Sequence, residues 1–198
     1  LIYQEEADLL ISASRLDNNT LTDLRRIEGI ADAGGMGFST ATVVYPAPDG
    51  EIDISLIGTE PGRPGNPQIL SGGPLIRDRA NEAVLDGPLA EKLSVKPGDQ
   101  ITIQTVQGTE KELYNLNVVG LSGSNQYFFQ PAIFVPIQTW DDIKPQDTTA
   151  RRGSRVIFNI AAVQLYDPEN YSAMIPAIEG SIDGIQAVDK QTAILALP

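Results

Sequence analysis

Residues Ile69 to Leu121 read ILSGGPLIRDRANEAVLDGPLAEKLSVKPGDQITIQTVQGTEKELYNLNVVGL, and this stretch decides the fold. The spacing predicts a short strand ending on an acid, Glu82 to Asp86, followed by a helix of one to two turns, Pro88 to Leu93. Pro88 suits the first helical turn, where its missing N–H would have no partner anyway. Lys96-Pro97-Gly98-Asp99 is strong turn chemistry. It leads into two strands, Ile101 to Val106 and Leu113 to Val119, joined by a hairpin at Gln107-Gly108. The segment therefore reads as a compact β-rich module, and none of its residues is a plausible nucleophile or metal cage.

Outward from this module, the two ends of the chain share a grammar. Ala7 to Ser14 is a strand candidate, Asp17-Asn18-Asn19-Thr20 offers several helix N-caps, and Leu21, Leu24 and Ile27 put an apolar stripe on a helix over 21–27. Gly29 closes that helix in the manner of a C-cap, and extended chain resumes at Ile30. Near the other end, Phe158 to Tyr166 reads as a strand and Asp167-Pro168-Glu169 as an N-cap with Pro at the first position. Tyr171 to Ile178 reads as a helix containing Pro176, and Ile185 to Val188 as a strand. Two strand–helix–strand units of this kind can share one sheet with both helices on one face.

The expected fold class is therefore α+β: a discontinuous α/β lobe of residues 1–57 plus 154–198, and an inserted β-rich lobe of residues 58–153. Glu60 to Pro67 is too rich in Pro and Gly for a helix or central strand and marks the outgoing passage. The polar run from Lys144 to Gly153 marks the return.

Several function classes are excluded by composition. Among 198 residues there is no cysteine and no histidine, which removes disulfides, thiolate zinc sites, a Cys nucleophile and any Ser–His–Asp triad. The absence of cysteine suits an oxidising exterior and a cytoplasm equally. A net charge of −12 disfavours nucleic acid, whose binding is led by Lys and Arg on phosphates, and an anionic membrane surface. The hydrophobic content of 41% suits a globular core. No run of about eighteen apolar residues is present to span a bilayer. The start at Leu1, without Met or a basic leader, gives the expectation of an excised or processed segment.

Order along the chain adds a resemblance. Gly72 or Gly73 after a loop, Glu82-Ala83-Val84-Leu85-Asp86, Leu89-Ala90-Glu91-Lys92-Leu93, Gly98-Asp99-Gln100-Ile101-Thr102-Ile103 and Val118-Val119-Gly120 occur in this sequence. Ala132 to Ile137 follows, with a short helix carrying Trp140. The series resembles the extracytoplasmic domain of MacB-like and FtsX-like ABC transporter permeases, over about half of the chain directly and the rest by layout. The resemblance implies a Porter lobe made of the two end units, an inserted Sabre lobe, and a structural role for Asp86, Leu89, Ala90, Leu93, Gly98, Asp99 and Gly120. It also implies a membrane protein whose extracytoplasmic domain this is, without catalysis or cofactor. Its partners would be a cognate ABC ATPase and a second permease copy, engaged through transmembrane helices, together with an extracytoplasmic protein or apolar substrate.

The candidate contact residues are Tyr127, Phe128 and Phe129, the densest aromatic cluster in a chain with 6% aromatics. Consecutive strand residues face opposite ways, so at least one of these rings is expected in solvent if the segment is extended. Asp141-Asp142 and Glu5-Glu6-Ala7-Asp8 lack the spacing of a cation loop and read as solvated acids, Asp142 capping its own helix at most. Arg151-Arg152 with Arg155 is the basic cluster and reads as charge compensation. Gly34-Gly35-Met36-Gly37 precedes a strand and so is not a phosphate loop. Asn18-Asn19-Thr20 matches a glycosylation acceptor. The rival reading is a soluble β-barrel module around Val84 to Val119 that binds a small molecule or acts as an enzyme. Gly123-Ser124, Gly153-Ser154 and Gly180-Ser181 lack the context a self-cleaving pyruvoyl enzyme requires.

Overall fold

The computed structural model describes residues 1–5, 13–123, 130–146 and 156–189. Its strands are β1 (Ile2–Gln4), β2 (Ile30–Tyr45), β3 (Ile52–Thr59), β4 (Ile69–Gly72), β5 (Glu82–Asp86), β6 (Gln100–Gln107), β7 (Glu110–Ser122), β8 (Ala132–Pro136), β9 (Ile160–Leu165) and β10 (Ile185–Ala187). The helices are α1 (Asn18–Leu24), α2 (Gly87–Leu93), α3 (Ile137–Ile143) and α4 (Tyr171–Glu179). The chain divides into two compact units. One holds 1–37, 63–65 and the residues from 155 onward, and the other holds 38–62 and 66–154.

In the first unit the strand order is β10-β1-β9-β2, and every neighbour is antiparallel. Each strand–helix–strand crossover therefore straddles a strand from the other, with β9 between β1 and β2 and β1 between β9 and β10. This is the split β-α-β arrangement of ferredoxin-like sheets. Neither half can close its sheet without the other. α1 begins at Asn18, three residues before the expected start, because Asp17 takes the cap: its side chain accepts from the N–H groups of Asn19 and Thr20. Leu21 and Leu24 are buried, as the stripe requires. The helix stops at Arg25, whose guanidinium turns to the Ala33 carbonyl (Nε to O, 3.0 Å), and Gly29 lies in the turn beyond it at φ +95°. The N-terminal strand is Ile2–Gln4. Of the strand expected over 7–14, residues 7–12 lie outside the described residues, and buried Ser14 instead accepts from the Gln4 N–H (3.0 Å).

The second unit is a closed ring. Its second-half β2 residues neighbour β3, and β3 pairs in parallel with β8. β8 pairs antiparallel with β5, β5 in parallel with β7, and β7 antiparallel with β6. β6 returns to β2 through Thr42↔Gln104, Val43↔Ile103 and Tyr45↔Thr102. β4 is appended to β7 outside this circuit. β5 and β8 are buried along nearly their whole length, β3 over most of its length, and α2 and α3 pack on this side. β6 alternates, with Ile101, Ile103 and Thr105 inward and Gln100, Thr102, Gln104 and Val106 outward.

The units therefore part at Gly37, inside β2, and not near residue 57 as the sequence suggested. Phe38 to Thr59 belong to the second unit because the ring cannot close without them. The Pro- and Gly-rich run also contributes to the first unit: Arg63–Gly65 belong there, with Arg63 donating to both carboxylate oxygens of Asp32 at 3.1 Å.

Candidate functional site

The seven motif residues meet around β5, α2 and the second half of β7, and each does identifiable structural work. Asp86 ends β5 with extended backbone and caps α2: Oδ1 accepts from the Leu89 N–H at 2.8 Å. Its Oδ2 accepts from the Ala132 N–H, also at 2.8 Å, which fastens the first residue of β8 to the same carboxylate. The side chain is 3% exposed. Burial pushes its pKa up, and the two backbone donors oppose that rise without cancelling it. Leu89, Ala90 and Leu93 form the buried face of α2, which ends at Ser94 in the left-handed region (φ 56°).

The turn that follows is self-contained. Asp99 accepts from the Lys96 N–H through Oδ2 (2.8 Å) and donates its own N–H to the Lys96 carbonyl (3.0 Å). Gly98 adopts φ +101°, and its N–H bonds the Val118 carbonyl (2.8 Å). Gly120 is needed for close approach: a Cβ there would strike the Gly73 carbonyl oxygen, while the Gly73 N–H bonds the Val119 carbonyl at 2.8 Å. Both oxygens of the Asp86 carboxylate are thus occupied by backbone donors. The arrangement sets the path of the chain.

α3 forms a second built region. Trp140 is buried, its indole N–H donates to Ser39 Oγ (3.0 Å), and Gly58 leaves the room its Cβ occupies. The carbonyls that end α3 are capped from β6, with Thr105 Oγ1 on the Ile143 oxygen (2.7 Å) and Gln107 Nε2 on the Lys144 oxygen (2.9 Å). Asp141 pairs with Lys144 (2.7 Å) and Asp142 with Arg79 (3.2 Å), so Asp142 does not cap its helix. Lys144 also lies over the Trp140 ring, 4.2 Å from its centroid.

Tyr127, Phe128 and Phe129 lie outside the described residues, as do Arg151, Arg152 and Arg155. Of the N-terminal acidic run, only Glu5 is described. Gly34 and Gly35 are strand residues of β2 that admit the Pro64 carbonyl and the Phe158 ring. Sequence reasoning missed the Asp32–Arg25–Arg63 group, since Arg63 is thirty-one residues from its carboxylate and no periodicity links them. It also missed the exposed Leu70, Ile76, Tyr166 and Tyr171. The barrel that the rival reading required exists as the ring of β2, β3, β8, β5, β7 and β6. The faces of β6 and β7 turned from solvent carry Ile101, Ile103, Leu116 and Val118, all buried.

A search of curated protein sequences returns no match. Among solved structures, the chain is similar to the extracellular domain of the noncanonic ABC-type transporter YknZ from Gram-positive bacteria. The TM-score is 0.62 at 12% identity, covering 95% of this chain and 98% of that one. It is also similar to the periplasmic region of MacB from Actinobacillus actinomycetemcomitans, with a TM-score of 0.60 at 12% identity over 96% of this chain and 88% of that one. At such identity these likenesses speak for the fold. The family model of the MacB-like periplasmic core domain matches residues 3–180, which include the whole second unit, most of the first and all seven motif positions. The chain belongs to the MacB-like periplasmic core domain family.

Proposed function

We propose that this chain is the extracytoplasmic domain of an ABC transporter permease subunit, set between its first and second transmembrane helices, and that it transmits helix motion without performing chemistry. The observation that carries this reading is the pairing of β1 with β10. The Leu1 nitrogen donates to the Val188 carbonyl (2.6 Å), and the Val188 N–H donates to the Leu1 carbonyl (2.9 Å). A segment that leaves a bilayer and re-enters it through neighbouring helices needs its two ends side by side. Membership of the family, and likeness to an extracellular domain and a periplasmic region of transporters, support the same placement.

ATP is hydrolysed by a separate cytoplasmic ATPase subunit or domain, and a second permease copy completes the transporter. Outside the membrane the domain acts on a protein partner or an apolar substrate, with the stretch around Tyr127, Phe128 and Phe129 as its contact. The chain's lack of His and Cys is consistent with a mechanical role. Two experiments test the reading. The coding sequence flanking residues 1 and 198 is expected to hold an apolar span of about twenty residues on each side; soluble sequence on both sides overturns it. A disulfide engineered to lock the two units together is expected to abolish transport by the intact transporter, and undiminished transport would refute the mechanical role.

A further inference from the structure

The turn between β9 and α4 exposes two tyrosines in a chain that has six. Tyr166, directly after β9, is 78% exposed, and Tyr171, the first residue of α4, is 48% exposed. Between them, Asp167 caps a single 3-10 turn over Pro168–Asn170, accepting from the Glu169 N–H at 3.1 Å. That cap holds the turn in one shape, and the Tyr166 N–H is anchored on the Gly29 carbonyl (3.0 Å). These side chains project from ordered backbone, where an exposed ring is not explained by a lack of local structure.

The strand registers say which end of the first unit this is. Ile30 pairs with Leu165, so β9 ends where β2 begins. Ile2 pairs with Ala161 antiparallel, so β1 has its N-terminal side directed toward that end, and Ile2 pairs with Ala187, so β10 runs toward it. Gly29 and Tyr166 lie at that end of the sheet, and Leu1 and Val188, beside the Ile2–Ala161 and Ile2–Ala187 pairs, lie short of it on strands directed along the same line. The start of α1 at Asn18 and the approach to β10 at Gly184, whose carbonyl accepts from the Glu5 N–H, occupy the other. Chain preceding Leu1 is directed toward the end that displays the tyrosines.

We propose that, in the membrane-inserted protein, this end of the first unit rests on the lipid headgroup layer, with Tyr166 and Tyr171 seated in the interface. The inference rests on the proposed placement of the domain between transmembrane helices. Tyrosine suits that layer because its ring is apolar and its hydroxyl wet, and it concentrates at both membrane–water interfaces for this reason. The charges at this end select the lipid. Among the described residues there, Glu28, Asp167 and Glu169 outnumber Arg26, which pairs with Asp23 at 3.5 Å. The surface is zwitterionic, since an anionic one would repel these carboxylates.

The chain has no cysteine, so a single environment-sensitive fluorophore can be placed at will. The protein with its native flanks is reconstituted into phosphatidylcholine vesicles and labelled on Glu169→Cys, or on Asn19→Cys or Asp183→Cys at the opposite end. Seating in the interface is expected to blue-shift the label at 169, and a headgroup-attached nitroxide to quench it, with the labels at 19 and 183 unchanged in both respects. Adding Tyr166→Ser and Tyr171→Ser is expected to reverse most of the quenching at 169. Quenching that survives loss of both tyrosines shows that the tether alone holds this end at the membrane and overturns their role. No quenching at 169 in vesicle-inserted protein overturns the contact while leaving the permease reading intact. Protein that fails to insert refutes that reading, and the inference falls with it.

Discussion

The two units solve the same problem, closing a small sheet, by opposite routes. The first joins residues from the far ends of the chain, pairing Ile2 with Ala187 and bridging Leu16 to Phe158. The second builds from neighbours: the β6–β7 hairpin runs from Gln100↔Asn117 to Gln107↔Glu110, and β5 feeds α2 without a loop. Non-local pairing must order a long loop before any contact rewards it, whereas a hairpin gains contacts as it closes. The ring also leaves few strand edges open, while the first unit relies on three-residue strands at β1 and β10. Under the proposed permease role, the unit made of both chain ends would receive motion from the membrane while the ring keeps its shape.

The largest expected effects come from removing one buried ring in each unit. Phe134 lies in β8 and Phe158 beside β9, and both are essentially inaccessible. Replacing either by Ala is expected to cost about 3–5 kcal/mol. The single tryptophan, Trp140, reports the second unit. Its fluorescence transition in urea is expected to move for Phe134→Ala and to stay in place for Phe158→Ala, which instead lowers amide protection in β1 and β9. A Trp140 transition shifted equally by both would show one cooperative block and break the comparison.

Next in size is Asp86→Ala. It removes the cap of α2 and strands the buried Ala132 N–H, for a combined loss of about 2–4 kcal/mol by urea denaturation. A loss well below that would mean water or a backbone shift replaces the carboxylate, and the β5–α2–β8 junction would be softer than its geometry implies.

Close approaches allow a matched test. At Gly120 in the second unit and Gly34 in the first, an added Cβ meets a backbone carbonyl, of Gly73 and Pro64 respectively. Each Gly→Ala change is expected to cost about 1–3 kcal/mol, read as a shifted denaturation midpoint. If Gly34→Ala proves neutral, the 63–65 segment yields easily and the first unit is the more deformable of the two.

These positions also show what was legible in the sequence. The β5–α2 unit, the Pro97-Gly98 turn and the β6–β7 hairpin could be read because their determinants are contiguous: an acid before Pro88, turn residues at 97 and 98, and alternation at Ile101 and Ile103. Gly120 could be noticed but not explained, since the backbone it admits is forty-seven residues away at Gly73. The division inside β2 was invisible for a related reason. Residues Ile30 to Tyr45 form one uninterrupted strand, and only the pairing with β9 at one end and β6 at the other assigns its halves to different units. The Pro/Gly run was read as passage alone, because a salt bridge from Arg63 to Asp32 leaves no local pattern. For the contact site, sequence reasoning favoured Tyr127 to Phe129; the exposed pair Tyr166 and Tyr171 stood out only once the strand registers were known.

The smallest effect separates the units by sign. Asp32 is held by Arg63 and Arg25 at the surface of the first unit. Burial alone would raise its pKa, but the Arg63 hydrogen bond, the Ala33 N–H and the charges of both arginines together hold it below the usual value. A depressed carboxylate stabilises the fold above its unfolded pKa, and that contribution is lost as pH falls through the folded value. Asp86 is raised, so its effect runs the other way: the protonation-linked part of its contribution is complete below its unfolded pKa and is lost as pH rises through the folded one. Stability measured by urea from neutral pH into the acid range is therefore expected to show Asp32→Asn converging on the parent protein as pH falls. The parent gains on Asp86→Asn over the same range. Arg63→Ala is expected to cost less than about 1 kcal/mol at neutral pH, because its partly exposed pair is screened by water and salt. Two slopes of the same sign would mean that one of these carboxylates does not keep the environment described for it. Convergence at Asp32 without any loss in Arg63→Ala would assign that carboxylate's stabilisation to Arg25 and the Ala33 N–H.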